Sequence, residues 1–209
     1  MMDDQPARDL IVLVPDADME FSIRALLSRS ALKIRPIEFD VRRHVQRDAG
    51  CRSDCHNYLR FLSRGYRHAM VLFDHEGSGR EQVERVELEH EVEGVLRVNG
   101  WEDRAAVIVV DPELEAWVWS DSPAVDGVLG WTGRTPTLRD WIQADTAFWP
   151  TGQIKPERPK EAFAAALRRV GTPPSPSIFK ALADRVGIDR CVDPAFAKFK
   201  DTLRQWFRY

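Results

Sequence analysis

The chain has few cysteines and no hydrophobic run that is long enough to cross a membrane. It holds three cysteines in 209 residues, and no apolar stretch approaches the roughly 18 to 20 residues of a membrane span. An odd and small number of cysteines argues against a disulfide framework and for a reducing cytosol. The first nine residues are acidic and polar, unlike a signal peptide. We therefore expect a cytoplasmic protein that makes no contact with a membrane.

The chain also lacks a strong net charge and the common motifs of nucleophilic catalysis and phosphate binding. Its formal net charge of −3 does not indicate any class of binding partner. No Ser-His-Asp arrangement is visible, and the sequence Gly77-Ser78-Gly79 is too short to indicate a phosphate-binding loop. The sequence therefore gives no support to a serine hydrolase or to a P-loop protein.

Short acidic clusters follow three apolar runs in the first 115 residues. The runs cover residues 10–14, 70–73 and 106–110. Short continuous apolar runs that alternate with helical patterns predict buried parallel strands. The acids that follow the three runs are, in chain order, Asp16, Asp18 and Glu20, then Asp74 and Glu76, then Asp111, Glu113 and Glu115.

The positions of these acids predict a site at one edge of the sheet. In open α/β sheets the functional crevice lies beyond the carboxyl ends of the strands. Carboxylates that converge there repel each other unless a hard cation or a shared proton compensates the charge. Mg²⁺ is the usual cation of a site built from oxygen ligands, and Mn²⁺ is the alternative.

The remaining pattern completes an α/β fold. It predicts a second strand at 34–39 and helices at 19–29, 54–64 and 81–98. A further helix begins at Asp111-Pro112, and helices at 159–169, 177–186 and 194–207 form a C-terminal extension. We expect a mainly parallel sheet flanked by helices in residues 1–122. Residues 123–209 would form a tryptophan-rich connector and a helical subdomain packed on it.

Several of the acids have an ordinary structural explanation. Asp18 and Asp111 are expected helix N-caps, and Glu113 would complement a helix dipole. Asp74 and Glu76 are harder to explain in this way, because no helix begins directly after them. Glu115 lies one turn beyond Asp111, where it is either a third carboxylate of the site or the partner of an arginine.

Basic residues are concentrated between the second and third predicted strands. Four of them are candidate contacts to a nucleic-acid backbone, namely Arg42, Arg43, Arg47 and Arg52. The alternative is a set of surface arginines that balances the acidic helix at 81–98. No interleaved aromatic residues indicate base stacking.

The strand-end acids resemble those of the TOPRIM fold, which topoisomerases, primases and related nucleases share. That fold has one acidic residue after its first strand and an acid-x-acid pair after a later strand. The matching positions here are Asp16, followed by Asp74 and Glu76. The resemblance implies that these three residues bind Mg²⁺ and that Asp16, or alternatively Glu20, assists proton transfer. The Glu-Gly that is usual in this fold is replaced by Asp16-Ala17, and the usual Asp-x-Asp by Asp74-x-Glu76. With these substitutions the residues either still surround a metal ion or form a site that has lost its catalytic activity.

A closer resemblance is to uncharacterised bacterial TOPRIM-like proteins of anti-phage defence islands, of the type found in methylation-associated defence systems. It rests on residues 16–20, 71–77, 111–117 and 191–196. It implies an antiviral protein that acts on the phosphodiesters of DNA or RNA and works with other defence-system proteins. The alternative is a non-catalytic accessory or sensor subunit of a multi-protein defence complex.

Overall fold

Four parallel strands form a single sheet at the centre of the fold. The computed structural model describes residues 8–209, so most of the acidic stretch at the N-terminus lies outside the described residues. The sheet has the order β2-β1-β3-β4, and its strands are β1 (Arg8–Val14), β2 (Phe39–Arg43), β3 (Tyr66–Asp74) and β4 (Ala105–Val110). The predicted α/β class, with a parallel sheet flanked by helices and a helical C-terminal extension, is confirmed.

Nine α-helices surround the sheet in the described part of the chain. The first four are α1 (Ala17–Leu27), α2 (Arg47–Ser53), α3 (Cys55–Leu59) and α4 (Arg85–Leu96). The others are α5 (Pro123–Val128), α6 (Leu138–Gln143), α7 (Pro159–Val170), α8 (Pro176–Arg185) and α9 (Pro194–Trp206). None of the helices described is long and apolar enough to cross a membrane.

Each face of the sheet is covered by its own hydrophobic core. Successive side chains of a strand point to opposite faces, and in β1 the residues Leu10 and Val12 join one core while Ile11 and Leu13 join the other. The first core is completed by α1, α7, α8 and α9, and the second by α2, α3, α4 and Trp101. The C-terminal helices therefore share a core with the sheet.

The second strand was predicted wrongly at 34–39. The structure places β2 at Phe39–Arg43, where only Val41 is buried. The apolar residues that suggested a strand, Ile34 and Ile37, pack on the first core before β2 begins. An edge strand with one buried side chain has no apolar run, so its sequence carries little signal.

Several helix starts also differ from the prediction, and the helix predicted at 19–29 is α1, which begins at Ala17. The helix predicted at 54–64 is replaced by α2 and α3, so helical structure begins at Arg47, inside the segment predicted as a basic loop. The helix predicted from 81 starts at Arg85, because the Glu81 carboxylate accepts hydrogen bonds from the backbone of Gly77 and Gly79 and closes a turn. The three C-terminal helices are confirmed to within one residue.

The tryptophans and cysteines are mainly residues of the interior. Trp117, Trp119, Trp131 and Trp149 are buried in the first core, which the sheet shares with the C-terminal helices. The three cysteines are all free and buried.

The acidic helix α4 protects the free edge of the sheet. The Glu89 carboxylate is 2% exposed and accepts the Val109 backbone N–H at 3.0 Å, and Glu93 accepts the Val107 N–H at 2.9 Å. Lys198 of α9 binds both glutamates, at 3.1 and 2.8 Å. Uncovered edge strands expose backbone groups that can pair with another chain, so these two glutamates do more than form a solvated face.

We predict that Glu89→Ala lowers the free energy of unfolding by about 3 kcal/mol, since it removes the carboxylate that pairs with the largely buried Arg85 and that accepts the Val109 N–H. Chemical denaturation measures the change. Glu87→Ala, at an exposed position of the same helix, is the matched control and should change stability by less than about 0.5 kcal/mol. Equal effects of the two substitutions would contradict a role of Glu89 at the sheet edge.

Candidate functional site

The strand order creates a crevice at the carboxyl ends of β1 and β3. The chain continues from β1 to β2 on one side of β1, whereas β3 and β4 lie on the other side. Such a reversal of strand order leaves an open crevice between the two central strands, and ligands of parallel sheets bind there. Asp16 follows β1 directly, and Asp74 is the last residue of β3. The structure therefore places both predicted carboxylates at the switch point of the sheet.

Asp74 has the most unusual environment of these acids. Its Oδ1 atom is buried and has no hydrogen-bond partner among the described residues. Burial raises the pKa of the Asp74 carboxyl well above its usual range, and the charges of Asp48, Glu115 and Asp16 raise it further. Burying an ionised carboxylate without partners costs free energy. A proton or a bound cation at Asp74 would remove this cost.

Asp48 is a site residue that the sequence analysis missed. It lies in α2, and its Oδ1 accepts the backbone N–H of Asp74 at 2.9 Å. Burial raises the pKa of Asp48, and the charge of Asp16 adds to the rise. No strand precedes it, but one signal was present, because Asp48 is the only acid in the basic segment 42–52.

The turn after β3 is held against α2 at two points. One is the hydrogen bond from the Asp74 backbone to Asp48, and the other runs from Arg52 Nε to the Ser78 carbonyl at 2.6 Å. Gly77 has a φ of +90° in this turn, and a Cβ there would lie 3.6 Å from Asp48 Oδ2. Arg52, predicted to contact nucleic acid, therefore serves to position the acidic turn.

Glu113 and Glu115 enter the site from the segment after β4. They are 3% and 8% exposed, and neither caps a helix by a side-chain hydrogen bond. Burial raises the pKa of Glu115 to about 7, and the charge of Glu113 contributes to the rise. Glu115 has no ion pair within 4.0 Å in residues 8–209, so of its two predicted roles the structure favours the third carboxylate over an arginine partner.

Lys160 of α7 brings a positive charge to these acids. Its Nζ lies 2.7 Å from Glu113 Oε2. The charges of Glu113, Glu115 and Asp74 all raise the pKa of Lys160, although burial opposes them. The C-terminal extension thus supplies part of the charge balance at the strand ends.

Of the acids after β1, a different residue from the one predicted caps the helix. Asp16, not Asp18, is the N-cap of α1, and its Oδ1 accepts the Met19 N–H at 3.0 Å. Asp18 lies in the first turn, where burial and then the charge of Asp16 raise its pKa. Both carboxylate oxygens of Glu20 are engaged by arginines, Arg24 at 2.9 Å and Arg43 at 3.0 Å.

Two other predicted acids lie at the rim of the site. Glu76 is exposed. Its charge contributes to raising the pKa of Glu113, but it is not among the main causes of the raised pKa of Asp74. Asp111 is also exposed and lies 3.2 Å from His75 Nδ1. The prediction that Asp111 caps a helix is wrong, because the short 3₁₀ helix Leu114–Trp117 begins later.

We call the six carboxylates gathered at the strand ends the strand-end cluster, and they are Asp16, Asp18, Asp48, Asp74, Glu113 and Glu115. Oxygen-only donors of this kind are those that Mg²⁺ and Mn²⁺ prefer, and the unpartnered Asp74 Oδ1 fits such a role. In their present arrangement, however, no group of three or more His, Cys, Asp or Glu side chains within residues 8–209 could hold a metal ion. Lys160 compensates part of this repulsion, and the raised pKa values of Asp74 and Glu115 mean that protonation of these carboxyls would relieve more of it.

The predicted nucleic-acid contacts divide into two pairs. Arg43 and Arg52 are occupied by Glu20 and by the Ser78 carbonyl. Arg42 and Arg47 are exposed and form no ion pair within 4.0 Å with any residue that the structure describes. Both line a cleft that also contains Asp16.

Comparisons of the chain with protein-family models, with curated proteins and with solved structures found no match.

We predict that Glu115→Gln becomes more stabilising as the pH rises from 4.5 to 8. The folded pKa of Glu115 is raised from 4.5 to about 7, so the folded state binds more protons than the unfolded state in that interval. The associated stability is therefore complete below pH 4.5 and is lost as the pH rises through 7, by about 3 kcal/mol in total. Glutamine removes this loss.

Urea denaturation of both proteins across this pH range measures the effect. Glu157→Gln, at an exposed position, is the control and should show the same pH dependence as the unchanged protein. A stability difference between Glu115→Gln and the unchanged protein that does not vary with pH would contradict the raised pKa of Glu115.

Proposed function

We propose that this chain is a TOPRIM-like, metal-dependent enzyme that acts on nucleic-acid phosphodiesters in the anti-phage defence of bacteria. The observation that carries the proposal is the buried Oδ1 of Asp74, which has no hydrogen-bond partner in residues 8–209 and experiences the charges of Asp48 and Asp16 at the switch point. The positions of Asp16 after the first strand and of Asp74 after a later strand agree with the resemblance described above.

Asp16, Asp48 and Asp74 are the residues that would hold Mg²⁺ or Mn²⁺, with Glu76 at the rim and Glu115 as a further carboxylate. When bound, the ion would supply Lewis acidity toward a phosphodiester oxygen and lower the pKa of a bound water. Asp48 is an addition to the set implied by the resemblance. It is supported by its direct hydrogen bond to the backbone of Asp74.

Two residues of the chain are candidates for proton transfer. Asp16 is only half-buried, and one of its oxygens is engaged by the N-terminal turn of α1. Glu20 is the alternative, but its two oxygens are engaged by Arg24 and Arg43. The other oxygen of Asp16 has no such partner among the described residues, which favours Asp16.

We predict that Asp74→Asn lowers metal-dependent cleavage of DNA or RNA by about 100-fold or more, because lost electrostatic contacts at a reacting centre have effects of this size. Gel assays with Mg²⁺ and with Mn²⁺ measure cleavage, and thermal unfolding with increasing metal measures binding without turnover. Asp111→Asn removes an exposed carboxylate from the same edge of the sheet and is the matched control.

Retained cleavage in Asp74→Asn, or loss of cleavage to the same extent in Asp111→Asn, would overturn the assigned site. Absence of cleavage by the unchanged protein with any of DNA, RNA or nucleotides would overturn the enzymatic proposal as a whole.

A second candidate function is a non-catalytic accessory or sensor subunit of a defence complex. It is favoured by the Lys160–Glu113 ion pair at 2.7 Å, which already compensates part of the strand-end cluster, and by the lack of a metal-ligand group in the described residues. The acids would then maintain the fold or a docking surface for another defence-system protein.

Phage-protection assays with the double variant Asp74→Ala/Glu76→Ala distinguish the two functions. Full protection, together with co-purification of a neighbouring defence protein, is the result expected of an accessory subunit. Loss of protection in a variant that keeps its fold by circular dichroism is the result expected of the enzyme.

A further inference from the structure

A basic cleft of about 610 Å³ opens beside Asp16, on the side of the sheet where β2 lies. Its walls come from the end of β1, the start of α1, the end of β2 and the segment that leads into α2 and α3. The lining residues that matter here are Asp16, Glu20, Arg42, Arg43, Arg47 and Tyr58. A volume of this size lies within the range of ligand-binding pockets in proteins.

The free positive charge of the cleft is carried by two arginines. Four arginines line it, including Arg24, but Arg24 and Arg43 are paired with Glu20. Arg42 and Arg47 are exposed and have no carboxylate within 4.0 Å among residues 8–209. Guanidinium groups that line one concave surface and have no carboxylate partner among the described residues are suited to bind phosphate oxygens.

Arg47 connects the cleft to the strand-end cluster. It precedes Asp48 in the chain, and its φ of +51° lies in the left-handed region that non-glycine residues seldom adopt. Its backbone N–H donates to the His44 carbonyl at 3.2 Å, which closes the turn. Arg47 lines the cleft, whereas the next residue, Asp48, accepts the backbone N–H of Asp74 at the end of β3.

Tyr58 provides an aromatic surface in the same cleft. It is 38% exposed and lies beside the buried ring of His44, with 6.0 Å between the ring centroids. Gly50 makes room for that histidine, since a Cβ at this position would lie 2.0 Å from His44 Nδ1. The floor beside Tyr58 is therefore built from packed side chains.

We infer that this cleft binds single-stranded nucleic acid, with phosphates on Arg42 and Arg47 and an unpaired base on Tyr58, and that it leads the strand to Asp16. A base can stack on an aromatic side chain only when it is released from its duplex, and every base has a face that can do so. The inference rests on the proposed function, because it identifies the form of the substrate that the site at Asp16 would receive.

The test is the binding of a fluorescein-labelled thymidine oligonucleotide of about 12 nucleotides, measured by fluorescence polarisation in EDTA at several salt concentrations. The double variant Arg42→Ala/Arg47→Ala should reduce the slope of log affinity against log salt by about 1.4, because each lost phosphate contact of a single strand removes about 0.7. Tyr58→Ala should weaken binding roughly 5- to 150-fold, the fold-change of about 1 to 3 kcal/mol per stacked base.

Two further variants serve as controls. Tyr58→Phe keeps the aromatic ring and should bind like the unchanged protein. Arg168→Ala/Arg169→Ala removes the same charge from exposed positions of α7 and should leave the salt slope unchanged.

The inference is overturned if the unchanged protein does not bind the oligonucleotide, or if the cleft variants bind no more weakly than the α7 control. It is also overturned if a duplex binds as tightly as the single strand and Tyr58→Ala has no effect. Because EDTA excludes metal, the outcomes separate the two proposals. Binding that depends on the cleft residues, without metal-dependent cleavage, supports this inference and overturns the proposed enzymatic activity. Cleavage that persists in the cleft variants supports the enzymatic activity and overturns this inference.

Discussion

Repulsion among carboxylates at the carboxyl ends of the strands is the constraint on which this edge of the molecule depends. Parallel strands bring their ends to one edge, and here the chain places an acid after each of three strands. Asp74 bears the largest share of the cost, because its carboxyl is buried and its Oδ1 has no partner among the described residues. Two neighbouring helices contact these carboxylates in different ways. The first turn of α1 uses Asp16 as its cap, and α7 contributes the ammonium group of Lys160.

The helix α2 contributes residues both to the strand-end cluster and to the basic cleft. Asp48 fixes the backbone of Asp74, and Arg52 fixes the carbonyl of Ser78, so α2 holds the turn after β3 from two sides. Arg47, the residue before Asp48, lines the cleft beside Asp16. A displacement of this short helix would move a carboxylate of the strand-end cluster and an arginine of the cleft together. The geometry of the cleft and that of the strand-end cluster therefore both depend on the position of α2.

The acidic residues of α4, in contrast to the strand-end cluster, stabilise the fold. Glu89 and Glu93 of the acidic helix accept backbone N–H groups of the edge strand β4, and Lys198 of the last helix binds both. A second long-range contact joins the segment after β4 to the N-terminus of α9, where Trp117 Nε1 donates to the capping residue Asp193 at 3.1 Å. The C-terminal helices thus bind the β4 side of the sheet through polar contacts as well as through the shared core.

The sequence by itself determined the elements whose signals are local. Buried apolar runs identified β1, β3 and β4, and the amphipathic pattern identified the three C-terminal helices to within one residue, because burial imposes a period that a short window can reveal. It also singled out Asp16 and Asp74 as acids at strand ends. Tertiary structure alone decided the strand β2, which buries one side chain, and the partners of the acids. Asp48 meets Asp74 across 26 positions of the chain and Lys160 meets Glu113 across 47. Contacts between separate elements depend on how those elements pack, and no local pattern of residues encodes them.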